Sequence, residues 1–379
     1  MRGRRGLLVA LLVGGVALVV VVVVVGVVPR RTAEEPATTV TVMTRNVYLG
    51  ADINRPIRAA QGRSGPDALA ALGRANDQVR ATVDRTDFRV RSRLLAAEIA
   101  AARPDLVGLQ EVALWRAGPL DLGAIGEPDA TEVDYDFLAL LLAALGERDV
   151  RYDVVAVQEE ADVEGPAFPD PRQETGRTGR DVRLTLRDVI LVRTDAGVTV
   201  REQGSGQFQA GLTVDLAGSP FAFVRGFVWA GVEVGGTRFR FVTTHLESES
   251  SEVARAQAAE LLSGPAVATT EPVVLAGDLN SAADPPDPAY AVLTDGGFAD
   301  TWRTTAGPGF TFGLTETLAD EVPSFERRID YVLARGLPAG SLEQSSGETT
   351  GDESADRDPG TGLWPSDHAG LVMTLRIGT

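Results

Sequence analysis

The 379-residue chain contains no cysteine, no lysine and only two histidines. Without cysteine there is no disulfide framework and no thiolate metal site. Without lysine there is no Schiff-base chemistry and no P-loop lysine to hold a nucleotide phosphate. Positive charge is scarce beyond the amino terminus. Five of the 36 basic residues lie in the first 31 positions, leaving 31 arginines against 53 acids, a balance of −22. A surface of that sign repels polyanions at long range, so binding duplex DNA would need a local basic patch or a divalent metal.

What is present starts with Leu7 to Val28, an unbroken apolar run led by Arg2, Arg4 and Arg5 and closed by Pro29-Arg30-Arg31. At about 1.5 Å per residue, roughly 33 Å of helix results, enough for a bilayer core. A cleavable signal has a shorter apolar region and a small-x-small cleavage site, so residues 1–31 are expected to be an uncleaved signal-anchor, with a cleaved signal peptide as the alternative. The arginines before the run and Glu34 and Glu35 after it place the terminus in the cytoplasm and the remainder outside, in the membrane-tethered or the secreted form. Residues 32–38 read as a linker and 39–379 as one domain.

Within that domain, hydrophobic periodicity predicts a first strand at Thr39–Arg45 and helices over Asp67–Val83, Ser92–Ala102, Asp136–Leu145 and Val253–Leu262. Strands are expected at Leu106–Val112, Tyr152–Val157, Val182–Val192, Gln209–Leu216, Phe221–Val234, Thr237–Thr244, Val273–Ala276, Ile329–Ala334 and Ala369–Ile377. Gly235-Gly236 marks a hairpin. Ala161–Arg180 and Leu337–Trp364 read as long loops. The mixture predicts an α/β sandwich.

Both histidines sit at the ends of apolar runs in polar company. His245 closes Phe241-Val242-Thr243-Thr244-His245, and His368 stands in Ser366-Asp367-His368 before the last strand. Between them Val273-Val274-Leu275-Ala276 ends in Gly277-Asp278-Leu279-Asn280. Arg45-Asn46, Gln110-Glu111 and Arg328-Ile329-Asp330 also stand at strand boundaries. Strand ends on one rim can converge on a site. The set supplies amides, carboxylates and two imidazoles, and it fits hydrolysis of a phosphate ester. An anionic ester repels hydroxide, so a hard cation on oxygen ligands is needed to neutralise it. An aspartate can deprotonate water, and an imidazolium with amide donors can stabilise the charge that develops.

In order and content these motifs resemble the endonuclease/exonuclease/phosphatase superfamily, from about Thr39 to Ile377. The resemblance implies a four-layer α/β/β/α sandwich, preceded here by the N-terminal hydrophobic helix. It implies Glu111 as principal metal ligand, with Asn46 and Asp367 assisting, and Mg²⁺ as the ion, with Mn²⁺ as the alternative. His245 would contact the phosphate or protonate the leaving group. Asp278 would activate water, Asn280 and Asn46 would hold the phosphate, and Asp330 would pair with His368. Either Asp278 or His368 could be the base, and Asp278 is preferred. Two residues after Asn46, where abasic-site endonucleases carry an acid, stands Tyr48, so Asn46-Val47-Tyr48 is more similar to the sphingomyelinase version. Asp188 is the candidate carboxylate partner of His245, and Arg225 and Arg303 are candidate phosphate ligands. The implied function is an exported or tethered metal-dependent phosphoester hydrolase, expected to be monomeric. Its substrate is nucleic acid, phospholipid or a small phosphate ester. The competing reading is a catalytically silent binding member of the same fold.

Overall fold

The computed structural model describes residues 38–123, 128–169, 178–216 and 219–378. The apolar run Leu7–Val28 and all but the last residue of the expected linker lie outside them. Along the chain come β1 (Thr39–Asn46), α1 (Arg55–Ala60), α2 (Gly65–Arg85), α3 (Phe88–Ala102), β2 (Leu106–Gln110), β3 (Leu114–Pro119), β4 (Glu132–Asp136), α4 (Phe137–Gly146) and β5 (Tyr152–Ala167). Then follow β6 (Arg180–Arg193), β7 (Val198–Gln207), β8 (Leu212–Leu216), β9 (Ser219–Phe223), β10 (Gly226–Val234), β11 (Thr237–His245) and α5 (Ser251–Ser263). The last elements are β12 (Val273–Asp278), α6 (Pro288–Asp295), β13 (Ala299–Asp300), β14 (Asp330–Arg335), β15 (Ser346–Thr350) and β16 (Gly370–Arg376).

The strands form two main sheets. One runs β15-β16-β1-β2-β6-β3-β4, with β5 also on β6; the other runs β13-β14-β12-β11-β10-β7. Strands β8 and β9 make a separate pair. The central strands β2 (Leu-Val-Gly-Leu-Gln) and β12 (Val-Val-Leu-Ala-Gly-Asp) are buried at every residue, as continuous apolar runs require when both faces are covered. Alternation then splits each strand between two cores. Leu106 of β2 and Val42 of β1 meet Val228, Phe241 and Val274 of the other sheet. Val107 and Leu109 face the opposite way, onto Val83, Leu95 and Ile99 of α2 and α3 and Leu141 of α4. On the far face of the second sheet, Val242, Leu275 and Leu333 pack on Ala258 and Leu261 of α5 and Leu293 of α6. Each of these Val, Leu, Ile and Phe side chains contributes roughly 1.5–3 kcal/mol on burial.

The helices start where the chain offers caps. Asp87 accepts the Arg89 N–H at 3.0 Å before α3, and Ser250 accepts the Val253 N–H at 3.3 Å before α5. At the expected hairpin, Gly235 and Gly236 carry φ of 55° and 82°. Between the two sheets, a Cβ on Gly108 would stand 2.6 Å from Thr243 Oγ1; glycine there lets the two sheets meet.

The expected loop Ala161–Arg180 needs correction. Strand β5 continues through it to Ala167 and pairs with β6 down to Arg180. Its charged sequence belongs to a strand hydrogen-bonded on one side, where water solvates the outward residues. The expected strand Phe221–Val234 is broken between β9 and β10, and Arg225 stands at the break. Strands β3, β4, β7, β13 and β15 and helices α1 and α6 lie outside the expected elements; they are short or polar, and pairing with distant strands holds the five strands.

Candidate active site

The register of both sheets brings the strand-end motifs to one rim. Asn46 pairs with Gln110 on neighbouring parallel strands, His245 with Asp278, and Asp278 with Asp330. Strand β16 runs antiparallel to β1, so the segment before it, with Asp367 and His368, returns to the same end. Asn46, Glu111, His245, Asp278, Asn280, Asp330 and His368 are thereby assembled from six separate stretches of chain.

The contacts cross from sheet to sheet. Asn46 Nδ2 donates to Glu111 Oε1 at 3.1 Å and to Asp278 Oδ2 at 3.1 Å. Its oxygen accepts the Tyr48 N–H at 2.9 Å. Asn46 therefore orients two carboxylates rather than presenting a free oxygen. Gln110 Nε2 donates to Thr243 Oγ1 at 2.7 Å across the same seam. His368 Nδ1 lies 2.8 Å from Asp330 Oδ2, and His368 Nε2 lies 3.8 Å from Asp278 Oδ2. The other Asp278 oxygen accepts the Asn280 N–H at 2.9 Å. Asp278, Asp330, His245 and His368 are all buried. Tyr48, Glu111 and Asn280 have φ of 56°, 58° and 46°. Three non-glycine residues in the left-handed region at one rim store strain where side chains must be aimed.

Burial and neighbours set the charge states. Asp278 is pushed up to about 7, first by burial and then by Asp330, against the opposing pull of His368. Burial alone would lower His368, but Asp330, Asp278 and Asp367 outweigh it and hold the imidazole up to about 10. A carboxyl near neutrality beside a protonated imidazole is a base and cation pair suited to proton transfer at pH 7.

Glu111 and Asp367 line one pocket together with Tyr48, Asp52, Arg225 and Glu247. Glu111 Oε2 also accepts the Leu49 N–H at 2.8 Å. Asp367 is raised to about 6 by burial and, after the opposing effect of His368, by Glu111. Two oxygen donors that repel each other in a half-buried pocket, with no thiolate in the chain, fit a hard divalent cation.

A second group, Glu160, Asp188 and His245, also has its ligand atoms within 4.8 Å of one another. Here a cation is built in. Arg225 Nη1 lies 3.1 Å from Glu160 Oε2 and 2.9 Å from His245 Nδ1. The structure thus corrects the expected Asp188–His245 pair: Arg225 faces the imidazole nitrogen, and Asp188 stands behind with Glu160. No donor reaches either Asp188 oxygen. Burial and then Glu160 push Asp188 well above the usual carboxylate range. Arg303 is exposed in the turn Thr301–Thr304, and among the described residues no contact joins it to the cluster.

Sequence reasoning missed three contributors and gave a fourth, Arg45, named beside Asn46, no role. Glu160 lies in a charged stretch without a motif. Phe312 sets its ring 5.0 Å from that of His368. Arg45 donates to the His368 carbonyl and pairs with Glu98. Arg91, wholly buried in α3, donates to the carbonyls of Thr86, Val47, Tyr48 and Pro365, tying the loop after β1 to the loop before β16. Glu160, Phe312 and Arg91 carry no local signal that marks them out.

The profile of the Endonuclease/Exonuclease/phosphatase family matches residues 82–368. No curated protein matches the sequence. Among solved structures, an endonuclease/exonuclease/phosphatase family protein from Bacteroides thetaiotaomicron is similar with a TM-score of 0.53 at 15% identity, over 90% of this chain and 98% of that one. A family protein from Leptotrichia buccalis gives 0.51 at 14% identity, over 89% and 99%. A mannosyl-6-phosphatase from Bacteroides thetaiotaomicron gives 0.50 at 16% identity, again over 89% and 99%. At these identities the likeness is one of fold.

Proposed function

Because the chain belongs to the endonuclease/exonuclease/phosphatase family, we propose that it is a metal-dependent hydrolase of phosphoric esters, with residues 39–379 as its catalytic domain. The observation that carries the reading is the meeting of Asn46–Glu111 with Asp278 and the Asp330–His368 pair across the seam between two sheets. Glu111 and Asp367 would hold the ion, Mg²⁺ or Mn²⁺, and Asn46 would orient Glu111. Bound there, the cation supplies neutralisation of the ester's charge and polarisation of a phosphoryl oxygen.

The chain's own groups account for the remaining chemistry. Asp278, poised near neutrality, accepts the proton of the attacking water. His368, kept positive by Asp330, offers charge and a proton to the oxygens around phosphorus. The Asn280 amide and Arg225 hold the phosphate. Competent residues at every one of these positions argue against a silent binding member.

The same pocket favours one substrate class. Among the described residues, Asp52, Glu111, Glu247, Glu249 and Asp367 line it against one cation, Arg225, on a domain whose balance is −22. A single phosphoester with a neutral or cationic remainder, small or lipid-borne, suits such a lining better than a polynucleotide. For the N-terminal run we retain the signal-anchor reading, with the domain outside the cell and monomeric. Its support is the apolar sequence and its flanking arginines; among the described residues no helix is long and apolar enough to cross a membrane.

The test is hydrolysis of plasmid DNA, sphingomyelin, inositol phosphates, a sugar phosphate and bis-nitrophenyl phosphate, with Mg²⁺, with Mn²⁺ and in excess chelator. Turnover of a single phosphoester that needs the metal is expected. Equal turnover in chelator would overturn the metal-dependent reading, and turnover of DNA alone would overturn the substrate class.

A further inference from the structure

We propose that Arg225 locks His245 as a neutral imidazole, so that His245 serves the reaction as a fixed hydrogen-bond donor and not as the acid that protonates the leaving group. The proposal rests on the phosphoesterase reading for its catalytic part and on geometry alone for the state of the ring.

A guanidinium has donors and no acceptor. Arg225 Nη1 at 2.9 Å from His245 Nδ1 therefore requires that nitrogen to accept. At the other side of the ring the Asn280 amide stands 3.1 Å from Nε2 and already donates to the Leu246 carbonyl at 2.9 Å. Donors face both nitrogens, so an imidazolium, with N–H on each, is opposed twice. The charged donor makes the stronger bond; the proton thus resides on Nε2, with Asp278 Oδ2 at 3.5 Å as the acceptor within reach. Burial, then the charges of Arg225 and His368, also push His245 well below its ordinary range.

Arg225 is held for this task. Glu160 Oε2 takes its Nη1 at 3.1 Å, and Glu160 Oε1 accepts the Gly226 N–H at 3.1 Å. The groups around the ring are thus Arg225, Glu160, Asp188, Asp278, Asn280 and His368. With His245 fixed, the water proton goes to Asp278. The new P–O bond forms as the old one breaks, and the leaving oxygen takes its proton from His368.

Two histidines make the test direct. In the ¹⁵N-histidine-labelled full chain, assigned with His368→Ala, His245 is expected to show the Nε2–H tautomer unchanged over about pH 5 to 9. Arg225→Gln leaves Glu160 facing the ring, and His245 should then take up a proton within that range. Arg225→Lys, which keeps a donor there, should hold it neutral. A wild-type His245 that titrates in this range would overturn the lock, as would Arg225→Gln with an unchanged ring. These spectra do not depend on turnover, so they stand apart from the fate of the proposed function. For catalysis, His245→Ala should slow p-nitrophenyl and alkyl esters by the same factor, within about threefold. A loss at least about tenfold larger for the alkyl ester would make His245 the leaving-group acid after all.

Discussion

Asp330 Oδ2 and His368 Nδ1 lie 2.8 Å apart and bridge the two sheets, one from the start of β14 and the other from just before β16. Among the described residues, the second Asp330 oxygen is buried without a donor, and the carboxylate's hydrogen-bond partner is the imidazole. Asp330→Asn and His368→Ala should each cost on the order of 10²–10⁴-fold in kcat. The double variant should be little worse than His368→Ala, because the two act as a unit. Steady-state rates of the three variants check this; additive losses would break the pair.

The same pair links stability to pH. His368 is held near 10, above its ordinary value of 6.5. Its stabilising contribution is therefore complete below about pH 6.5 and is lost as pH rises through about 10. The difference in Tm between the native chain and His368→Ala should be largest below neutrality and should shrink towards pH 10, read by thermal unfolding in chelator.

Asp278 has the opposite consequence. Its pKa of about 7 against an ordinary 3.8 means the fold prefers it protonated. Stability from this group is present below about pH 4 and is lost as pH rises through about 7. Asp278→Asn, without metal, should therefore gain Tm relative to the native chain as pH rises from 4 to 8. Activity should move the other way: kcat/KM of the native enzyme should fall below about pH 7 as the base protonates. Near-normal rates in Asp278→Asn would transfer the base role to His368.

Glu111→Gln removes ligand charge with little change in volume and keeps an acceptor for one of the Asn46 and Leu49 N–H groups, which use different oxygens of Glu111. Metal-dependent turnover should fall by at least about 10³-fold while Tm in chelator stays within a few degrees. Calorimetric titration with Mn²⁺ should show the loss of affinity directly. Unchanged affinity would remove Glu111 from the ligand set.

Arg91 clamps the site from beneath. Its four carbonyl partners lie on the loops after β1 and before β16 and at the end of α2. Arg91→Met leaves these acceptors buried without donors and should cost about 3 kcal/mol or more of stability. Arg91→Lys, with a point charge in place of the planar fork, should recover only part of the stability and of kcat. Chemical denaturation and steady-state kinetics measure both.

The periodic apolar patterns settled most of the strands and helices in advance. Thr39–Arg45, Ser92–Ala102, Val273–Ala276 and the Gly235-Gly236 turn are written locally, because period, caps and turn residues act over a few positions. So were the strand-end motifs that hold Glu111, His245, Asp278 and His368, since a polar residue closing an apolar run shows in one dimension. What only the tertiary structure decided is which of these meet. Register placed Asp278 opposite Asp330 and drew Asn46 across the seam. The extension of β5 into an acidic stretch, and the buried Arg45 and Arg91, follow from partners distant in sequence. The assignment of Arg225 to His245, in place of Asp188, came the same way: a break between β9 and β10 aims the guanidinium at the ring. A charged side chain takes its state from what surrounds it in space, and no local pattern records that surrounding.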